Sequence, residues 1–383
     1  RRSPLKEEMR PVAPGAPAPR SSRRHRMAFC GYSVKFSPFE ADRLAVGASQ
    51  YFGIVGNGQQ LVLDIDRPGG PRVDDGLLTV CSFYTNDGIY DCAWSEANEN
   101  ILVSATGDGF IKIWDLGRRR APQEGPAGHG QPVAQLSGHA KEVSSVDWNI
   151  NLRELLVSAS WDSTVRLWNV QRGELMTTCG AHRGVAYAAI WNPARPGVFA
   201  SVGSDGMVHI FDVQAIGSGG GGTGTGTPVQ GFRAHDTEIL SVDWNKYNAN
   251  EIITGSIDHT IRLWDLRALS SSQGSLGATP LHVFTGHNLA VRRVKFHPFH
   301  GNVFASTSYD MSVGVWDTSP PSAGMTRRFN HHTEFVIGLD WHLFRENVLC
   351  TTAWDRTVVV WNYLTDPPPT QMPMATPGAR RPP

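Results

Sequence analysis

One stretch of the sequence decides the fold: Ser158-Ala159-Ser160-Trp161-Asp162-Ser163-Thr164-Val165-Arg166-Leu167-Trp168-Asn169. It combines an Asp with a Trp six residues later, and an Asn follows that Trp. A second aromatic, Trp148, stands fourteen residues before Asp162, and His139 stands nine residues before Trp148. The alternation in Val165-Arg166-Leu167-Trp168 is typical of a half-buried strand, and an Asp before such a run is typical of a turn.

The same spacing recurs along the chain, so this stretch is one unit of a repeat. The aspartates in its place, called the turn Asp residues below, are Asp108, Asp162, Asp205, Asp258, Asp310 and Asp355. The aromatics six residues after them are Trp114, Trp168, Phe211, Trp264, Trp316 and Trp361. The earlier aromatics are Trp94, Trp148, Trp191, Trp244, Phe296 and Trp341. The histidines are His139, His182, His235, His287 and His332, with Thr85 in that place in the first unit. Such units are typical of the blades of WD-repeat propellers.

A seventh, degenerate unit precedes these six. Its three strands match Tyr32-Ser33-Val34-Lys35-Phe36-Ser37-Pro38, Leu44-Ala45-Val46 and Leu61-Val62-Leu63-Asp64, with Gln50 in place of the turn Asp. Little sequence follows Trp361, so we expect residues near Met27-Ala28-Phe29 to supply the outer strand of the last blade. The prediction is an all-β, seven-bladed WD-repeat propeller over residues 27–364. Pairing of the two chain ends closes the ring, which removes exposed sheet edges.

Two tails and three insertions flank the repeat. Residues 1–26 are rich in Arg and Pro and are interpreted as a disordered or upstream segment, and residues 365–383 form a Pro-rich tail that we expect to be disordered. The insertions, at 117–131, 217–227 and 270–279, are expected to join third and fourth strands on the bottom face. Arg118-Arg119-Arg120 lacks interleaved aromatics, so a solvated loop is favoured over a nucleic-acid patch.

Composition excludes several classes of function. Lys+Arg and Asp+Glu number 35 each, so the net charge is zero and gives no general attraction for nucleic acid. No run approaches the roughly 18 apolar residues of a membrane span. The five cysteines are scattered and never spaced C-x-x-C, which favours free thiols in a reducing compartment over disulfides or zinc.

The recurring Ser/Thr, His and Asp residues are interpreted as structural. A catalytic triad occurs once, whereas this set recurs in five units, so we expect a buried hydrogen-bond chain from the turn Asp through the His and hydroxyl to the Trp. His331-His332 is not interpreted as a metal site, because His332 holds the structural position. No unique nucleophile, phosphate loop or metal-ligand cluster is evident, so the prediction is a binding protein without cofactor or metal rather than an enzyme.

Two sets of positions are expected on the top face, which is formed by the loops before each first strand and by the turns before each turn Asp. The residues chosen from them as candidate ligand contacts are Asp87, Tyr90, Glu142, Trp161, Tyr187, Glu238, Arg292, Tyr309, Glu334 and Trp354. Carboxylates pair with cations, and aromatic faces add cation–π or apolar contact. The combination fits a cationic, partly apolar ligand.

Several segments resemble one family more closely than propellers in general. They include Gly31-Tyr32-Ser33-Val34-Lys35-Phe36-Ser37-Pro38, Ser160-Trp161-Asp162, Glu238-Ile239-Leu240-Ser241-Val242-Asp243-Trp244, Ala290-Val291-Arg292-Arg293-Val294-Lys295-Phe296 and His331-His332-Thr333-Glu334-Phe335. The chain resembles, over about residues 29–362, the family of receptors for the type 2 peroxisomal targeting signal, most closely its plant and algal forms.

The resemblance implies a function. The family's cargo carries an N-terminal Arg-Leu-x5-His-Leu type of signal, which would bind the top face as a helix. The other implied partners are the co-receptor for the type 1 signal and the peroxisomal docking complex, and the implied location is the cytoplasm and the peroxisome. Our hypothesis is that Glu142, Glu238 and Glu334 read the basic residues of the signal. Trp161, Tyr309 and Trp354 would then hold its apolar side.

Two other classes compete with this interpretation. Trp264-Asp265-Leu266-Arg267 matches the Trp-Asp-x-Arg box of substrate adaptors of cullin-type ubiquitin ligases, a short match that many propellers carry by chance. A histone- or RNA-binding scaffold is disfavoured by the neutral charge.

Overall fold

The computed structural model describes residues 22–65, 76–118, 131–180, 182–217, 226–270, 278–320 and 323–366. Within these ranges the chain forms seven antiparallel sheets of four strands each. One edge strand of each sheet, called the inner strand below, packs against the inner strands of both neighbouring sheets. The last sheet packs in the same way against the first, so the sheets form a closed ring. The predicted seven-bladed propeller is therefore confirmed, with the blades numbered here from the N-terminal one.

The strands of each blade follow from the inside outward. Blade 1 comprises Cys30–Phe36, Arg43–Ser49, Gly58–Ile65 and Leu77–Thr85. Blade 2 comprises Ile89–Trp94, Ile101–Thr106, Ile111–Asp115 and Ala134–Leu136. Blade 3 comprises Val143–Trp148, Leu155–Ser160, Val165–Asn169 and Glu174–Cys179. Blade 4 comprises Ala186–Trp191, Val198–Gly203, Met207–Asp212 and Gln230–Arg233.

The remaining blades follow the same order. Blade 5 comprises Ile239–Trp244, Glu251–Ser256, Ile261–Asp265 and His282–Phe284. Blade 6 comprises Val291–Phe296, Val303–Ser308, Val313–Asp317 and Gly324–Phe329. Blade 7 comprises Val336–Trp341, Val348–Ala353, Thr357–Asn362 and, outermost, Ser22–Arg26. The short helical turns are Tyr51–Gly53, Leu116–Arg118, Val213–Gly217 and Leu266–Ser270.

The three insertions lie between third and fourth strands, as expected. They follow the strands Ile111–Asp115, Met207–Asp212 and Ile261–Asp265. Most of their residues, including Arg119 and Arg120, fall outside the described ranges. The predicted disorder of residues 1–21 and 367–383 likewise falls outside them.

The expected hydrogen-bond chain is present, and blade 3 shows its geometry. His139 Nδ1 lies 2.9 Å from Asp162 Oδ2, and His139 Nε2 lies 2.8 Å from Ser158 Oγ. Trp168 Nε1 donates to the same hydroxyl at 2.8 Å. Burial lowers the pKa of His139 and keeps its ring neutral. The consistent direction is then Trp168 N–H to Ser158, Ser158 O–H to His139, and His139 Nδ1–H to Asp162.

The Trp–Ser/Thr–His–Asp hydrogen-bond chain differs from blade to blade. Each of the five histidines places Nδ1 on its turn Asp at 2.9–3.0 Å. In blade 4 Phe211 has no indole to donate, and in blade 7 Trp361 Nε1 has no hydrogen-bond partner among the described residues. In blade 2, where Thr85 replaces the His, Lys112 Nζ reaches Asp108 Oδ2 at 2.7 Å instead. A cation thus substitutes for the imidazole donor.

Closure of the ring uses a different segment from the predicted one. The strand Ser22–Arg26 pairs antiparallel with Thr357–Asn362, so residues near Met27 do not form the outer strand and the propeller begins at Ser22 rather than at residue 27. Met27 is buried in the core between blades 7 and 1, and its N–H donates to Arg356 O at 2.7 Å. The Arg-rich composition concealed the strand, because an outermost strand is largely solvated and needs no alternation of apolar residues.

Substitution of Asp162 by Ala tests the hydrogen-bond chain. The change leaves the His139 ring, the Ala140 N–H and the Thr164 hydroxyl without their acceptor. We expect the free energy of unfolding to fall by about 1–3 kcal/mol, the cost of buried groups left unsatisfied, with poor solubility. Chemical denaturation measures it, with the exposed Asp236→Ala as the control. Unchanged stability of Asp162→Ala would contradict a structural role.

Two N-terminal truncations test closure. A chain that begins at Met27 loses the strand Ser22–Arg26 and exposes the edge of Thr357–Asn362, so its melting temperature should fall by roughly 5–10 °C, equivalent to a few kcal/mol. A chain that begins at Ser22 keeps the strand and should melt with the full chain. Equal melting of both truncations would show that the strand does not hold the ring closed.

Candidate ligand-binding face

The two sets of top-face positions are joined by a backbone hydrogen bond in each of six blades. Trp161 N donates to Glu142 O at 3.0 Å, and Trp354 N donates to Phe335 O at 3.1 Å. The other four pairs are Gly107 to Gly88, Ser204 to Val185, Ile257 to Glu238 and Tyr309 to Ala290. Each residue before a turn Asp therefore lies beside the residue that precedes the inner strand of its own blade.

A β-bulge near the start of every inner strand sets the direction of another set of side chains. The bulged residues are Tyr32, Tyr90, Ser144, Tyr187, Leu240, Arg292 and Ile337. A bulge leaves one residue outside the ladder and re-aims its side chain. The Arg292 side chain of blade 6 reaches the inner strand of blade 5, where its Nη1 donates to Leu240 O at 3.5 Å, and its charge interacts with Tyr32 of blade 1 and Asp91 of blade 2.

Four of the five aromatic candidates, all but Tyr187, belong to one connected row of rings, called the aromatic arc below. Trp161, exposed by 42%, stacks on Tyr90 with ring centroids 6.4 Å apart. Tyr90 packs on Tyr32 at 5.4 Å, and Tyr32 packs on Trp354 at 5.9 Å. The arc is completed by Phe52, 5.2 Å from Trp354, by Phe335, 5.3 Å from Trp354, and by Tyr309, which stacks on Phe335 at 4.7 Å. It spans blades 3, 2, 1, 7 and 6.

Sequence reasoning missed three members of the arc. Tyr32 stands four residues before Phe36, the same spacing as Tyr90 before Trp94. Extending the repeat spacing to the degenerate first unit would therefore have found it. Phe335 occupies in blade 7 the position that Glu142 occupies in blade 3, which places Glu334 one residue further out. Phe52 belongs to the longer turn of the degenerate blade and carries no repeat signal.

The turn that holds Phe52 is a strained loop fixed by the arc. Tyr51, Phe52 and Gly53 have φ values of 43°, 57° and 71°, a region that non-glycine residues adopt rarely. Tyr32 Oη donates to Phe52 O, and Tyr90 Oη donates to Gly53 O at 2.6 Å. The loop leaves Ile54 85% and Val55 67% exposed, so it adds apolar surface to the face.

The carboxylates of the face lie on different blades. Burial, together with the charges of Glu142 and Asp87, raises the pKa of Tyr90 to about 12, so both carboxylates act on this ring of the arc. Burial and Asp108 also raise the pKa of Asp87. Glu238 Oε2 accepts a 2.6 Å hydrogen bond from Tyr187 Oη, and burial together with this bond raises the pKa of Tyr187.

Glu334 lies at a pocket between blades 7 and 1. The pocket has a volume of about 530 Å³ and is lined by Glu334, Trp354, Phe52 and Arg26 among others. Glu142 and Glu334 make no side-chain hydrogen bond or ion pair with any described residue. The three glutamates therefore stand on three different blades, Glu142 on blade 3, Glu238 on blade 5 and Glu334 on blade 7.

One group of potential metal ligands occurs within the described residues, in blade 4. Ligand atoms of His182, Asp205 and His209 lie within 4.8 Å of one another. Both ring nitrogens of His182 are already engaged, Nδ1 with Asp205 at 3.0 Å and Nε2 with Ser201 at 2.8 Å. A metal would have to displace the structural hydrogen-bond chain of the blade, so the group is assigned to that chain.

Comparison with known families identifies the repeat. The family described as WD domain, G-beta repeat matches residues 77–115, 130–169, 226–265, 278–317 and 324–362. The units left unmatched are that of blade 1, which lacks the turn Asp, and that of blade 4, which carries Phe211 in place of Trp. No helix in the described part of the chain has the length and apolarity needed to cross a membrane.

Curated relatives cover most of the chain and most of their own length. The peroxisomal targeting signal 2 receptor of Dictyostelium discoideum is 42% identical over 318 residues, 83% of this chain and 90% of the relative. Peroxisome biogenesis protein 7 of Arabidopsis thaliana is 41% identical over 312 residues, 82% and 88% respectively. The peroxisomal targeting signal 2 receptor of Mus musculus is 39% identical over 311 residues, 81% and 86%.

The loop at Tyr51–Gly53 gives a test of how the arc is held. Tyr90→Phe removes the hydrogen bond to Gly53 O, worth about 1 kcal/mol. Local opening should then be roughly fivefold more frequent, and chymotrypsin should cut after Tyr51 or Phe52 faster by that factor. Tyr187→Phe, which removes a hydroxyl elsewhere on the face, is the matched control. Equal cleavage of both variants and the native chain would show that the loop is held by other contacts.

Proposed function

The chain belongs to the family of peroxisomal targeting signal 2 receptors, and from this premise we propose that it is an import receptor for the N-terminal type 2 targeting signal of peroxisomal matrix proteins. The signal would bind the top face as a helix. A co-receptor, the one that reads the type 1 signal, would bind jointly, and the complex would dock at the peroxisomal membrane and deliver folded cargo. The receptor would therefore move between cytoplasm and peroxisome, as a binding protein without catalytic chemistry.

The observation that carries the proposal is the acidic and aromatic character of one face. The signal pattern Arg-Leu-x5-His-Leu repeats a basic residue and a leucine seven positions apart. On an α-helix seven residues are two turns, about 10.5 Å, so both pairs share one side. A ligand of this kind offers cations and leucines together, and the face offers carboxylates beside exposed aromatic surface. Recognition would follow the helix-in-groove mode.

The three glutamates differ in whether a hydrogen bond within the protein already orients the carboxylate before a cation binds. Glu238 is oriented by the Tyr187 hydroxyl, so little ordering of its side chain remains to be lost on binding. Glu142 and Glu334 have no partner among the described side chains and are available for a charge-assisted hydrogen bond. Trp161 and Trp354 lie next to these two glutamates, where an aromatic ring can take up the aliphatic part of an arginine or a leucine.

The Trp-Asp-x-Arg residues on which the ubiquitin-ligase alternative rests make contacts within blade 5. Trp264 is fully buried and donates to Thr254 Oγ1 at 3.0 Å. Arg267 Nη2 lies 2.7 Å from Asp265 Oδ2, so the guanidinium is paired within the box itself. These contacts explain the motif as part of blade 5, although the Arg267 side chain itself is 64% exposed. The similarity to peroxisomal targeting signal 2 receptors favours the import receptor over this alternative.

Charge reversal at Glu238 tests the proposal. We expect Glu238→Lys to weaken binding of a labelled Arg-Leu-x5-His-Leu peptide by about 2–5 kcal/mol, because a desolvated ion pair becomes a repulsion. Fluorescence anisotropy, with and without the co-receptor, measures the affinity. The control variant is Glu174→Lys on the outer strand of blade 3, and the control peptide has Ala in place of Arg and His.

Each outcome of this measurement has a distinct meaning. Binding that depends on the Arg and His of the peptide supports the receptor function, whether or not Glu238 is the residue that reads them. Peptide binding that Glu238→Lys leaves unchanged removes Glu238 from the site. Absence of binding in both arms rejects the import function and leaves the ubiquitin-ligase adaptor as the next candidate.

A further inference from the structure

Arg292 is a cation that forms no ion pair with a described residue. Its guanidinium Nη1 makes a single long hydrogen bond, 3.5 Å, to Leu240 O in the inner strand of blade 5. No carboxylate of the described residues lies within 4.0 Å of it, and no aromatic ring of those residues lies beneath it at cation–π distance. Arginine has five donors, so most of them have no protein acceptor.

Other cations on the same strand show the contrast. Arg293 Nη2 lies 3.3 Å from Asp91 Oδ1 across the ring, and Lys295 pairs with Asp340. Burying a charge without a partner is costly, whereas a paired charge recovers much of that cost. Burial accordingly lowers the pKa of Arg292. Arg292 therefore differs from the neighbouring cations of its strand: it has no carboxylate partner among the described residues, and its side chain is only partly buried.

The surroundings of Arg292 are rich in donors. Tyr32 and Tyr309 are the hydroxyls that interact most with its charge, and Tyr187 also lies within electrostatic range. Tyr32 and Tyr187 already donate to Phe52 O and to Glu238, whereas the Tyr309 hydroxyl has no hydrogen-bond partner among the described residues. The nearest carboxylate in its electrostatic surroundings, Asp91, is already shared by Arg293 and the Ser33 hydroxyl.

We propose that Arg292 and the Tyr309 hydroxyl form an anion subsite that takes a carboxylate of the polypeptide bound at the top face. A planar guanidinium binds a carboxylate through two parallel hydrogen bonds, and the phenol can add a third. The subsite lies on blade 6, between the blades that carry Glu238 and Glu334, so a basic position stands between two acidic ones. The ligand it selects is basic at its flanks and acidic between them.

This inference rests on the proposed function, because the carboxylate is taken to belong to the cargo signal or to the co-receptor. The chemistry is the same in both cases, and two arms separate the sources. In the first arm, ten peptides carry Glu or Gln at each of the five variable positions of Arg-Leu-x5-His-Leu, and their affinities are measured with the native chain and with Arg292→Gln. In the second arm, the affinity of the co-receptor for the receptor–peptide complex is measured with the same two proteins.

A carboxylate from the cargo gives one position at which Glu binds about tenfold more tightly than Gln to the native chain and equally to Arg292→Gln. A carboxylate from the co-receptor leaves the peptide affinities unchanged and lowers co-receptor affinity in Arg292→Gln by about tenfold. If Arg292→Gln changes neither affinity by more than twofold while the peptides bind, the subsite does not exist and the proposed function still stands.

A stability comparison decides the matter if no peptide binds. Arg292→Met should melt at the same temperature as the native chain or higher, because an uncompensated charge is removed. Arg293→Met is the matched control and should melt lower, since Asp91 is left unpaired in the channel. A lower melting temperature for Arg292→Met would show that Arg292 supports the fold, and it would overturn the assignment of a ligand-binding role.

Discussion

The turn Asp, present in six of the seven blades, is a partly buried acceptor that ties three parts of the unit together. In blade 3 it receives the His139 imidazole, the Ala140 N–H and the Thr164 hydroxyl, so the loop before the inner strand and the turn after the second strand are held at one end of the blade. Burial would raise the pKa of Asp162, but these donors hold it below its usual range. Because the charge is satisfied locally, the residue just before the Asp is free to vary, and the propeller can present Trp161 at this position without loss of the scaffold.

The difference between positions within one repeat unit and contacts between units explains what could be predicted from the sequence. Positions within a unit are linked by short-range geometry, so spacing alone located the six turn Asp residues, the His partners and both sets of top-face positions. Contacts between units depend on the closed ring and leave no local spacing to count. Tyr32 joins Tyr90 to Trp354 only because blade 1 follows blade 7 in space, which is why the aromatic arc as a whole was not predicted.

Degenerate segments account for the remaining differences. The closing strand Ser22–Arg26 is polar because an outermost strand is solvated, so hydrophobic alternation could not reveal it. The long turn of blade 1 lacks the turn Asp, and tyrosine hydroxyls from two blades hold it instead, Tyr32 at Phe52 O and Tyr90 at Gly53 O. Both exceptions lie where the chain ends meet, at blades 7 and 1, and the pocket beside Glu334 lies at the same junction.

The local arrangement of polar and aromatic side chains distinguishes the top face from the rest of the propeller, whereas the net charge does not. The chain as a whole is neutral, and the hydrogen-bond chains inside its blades are nearly complete, with their few gaps at Phe211 and Trp361. The top face brings together the positive-φ loop, the exposed indole of Trp161, glutamates without a side-chain partner among the described residues, and Arg292 without a carboxylate. The loop stores backbone strain and the indole leaves apolar surface in water, and a scaffold alone needs neither feature. Their occurrence together at the end of the propeller that carries the bulged residues is the physical argument for our proposal that this end binds a ligand, and their mixed sign favours a ligand that carries both charges.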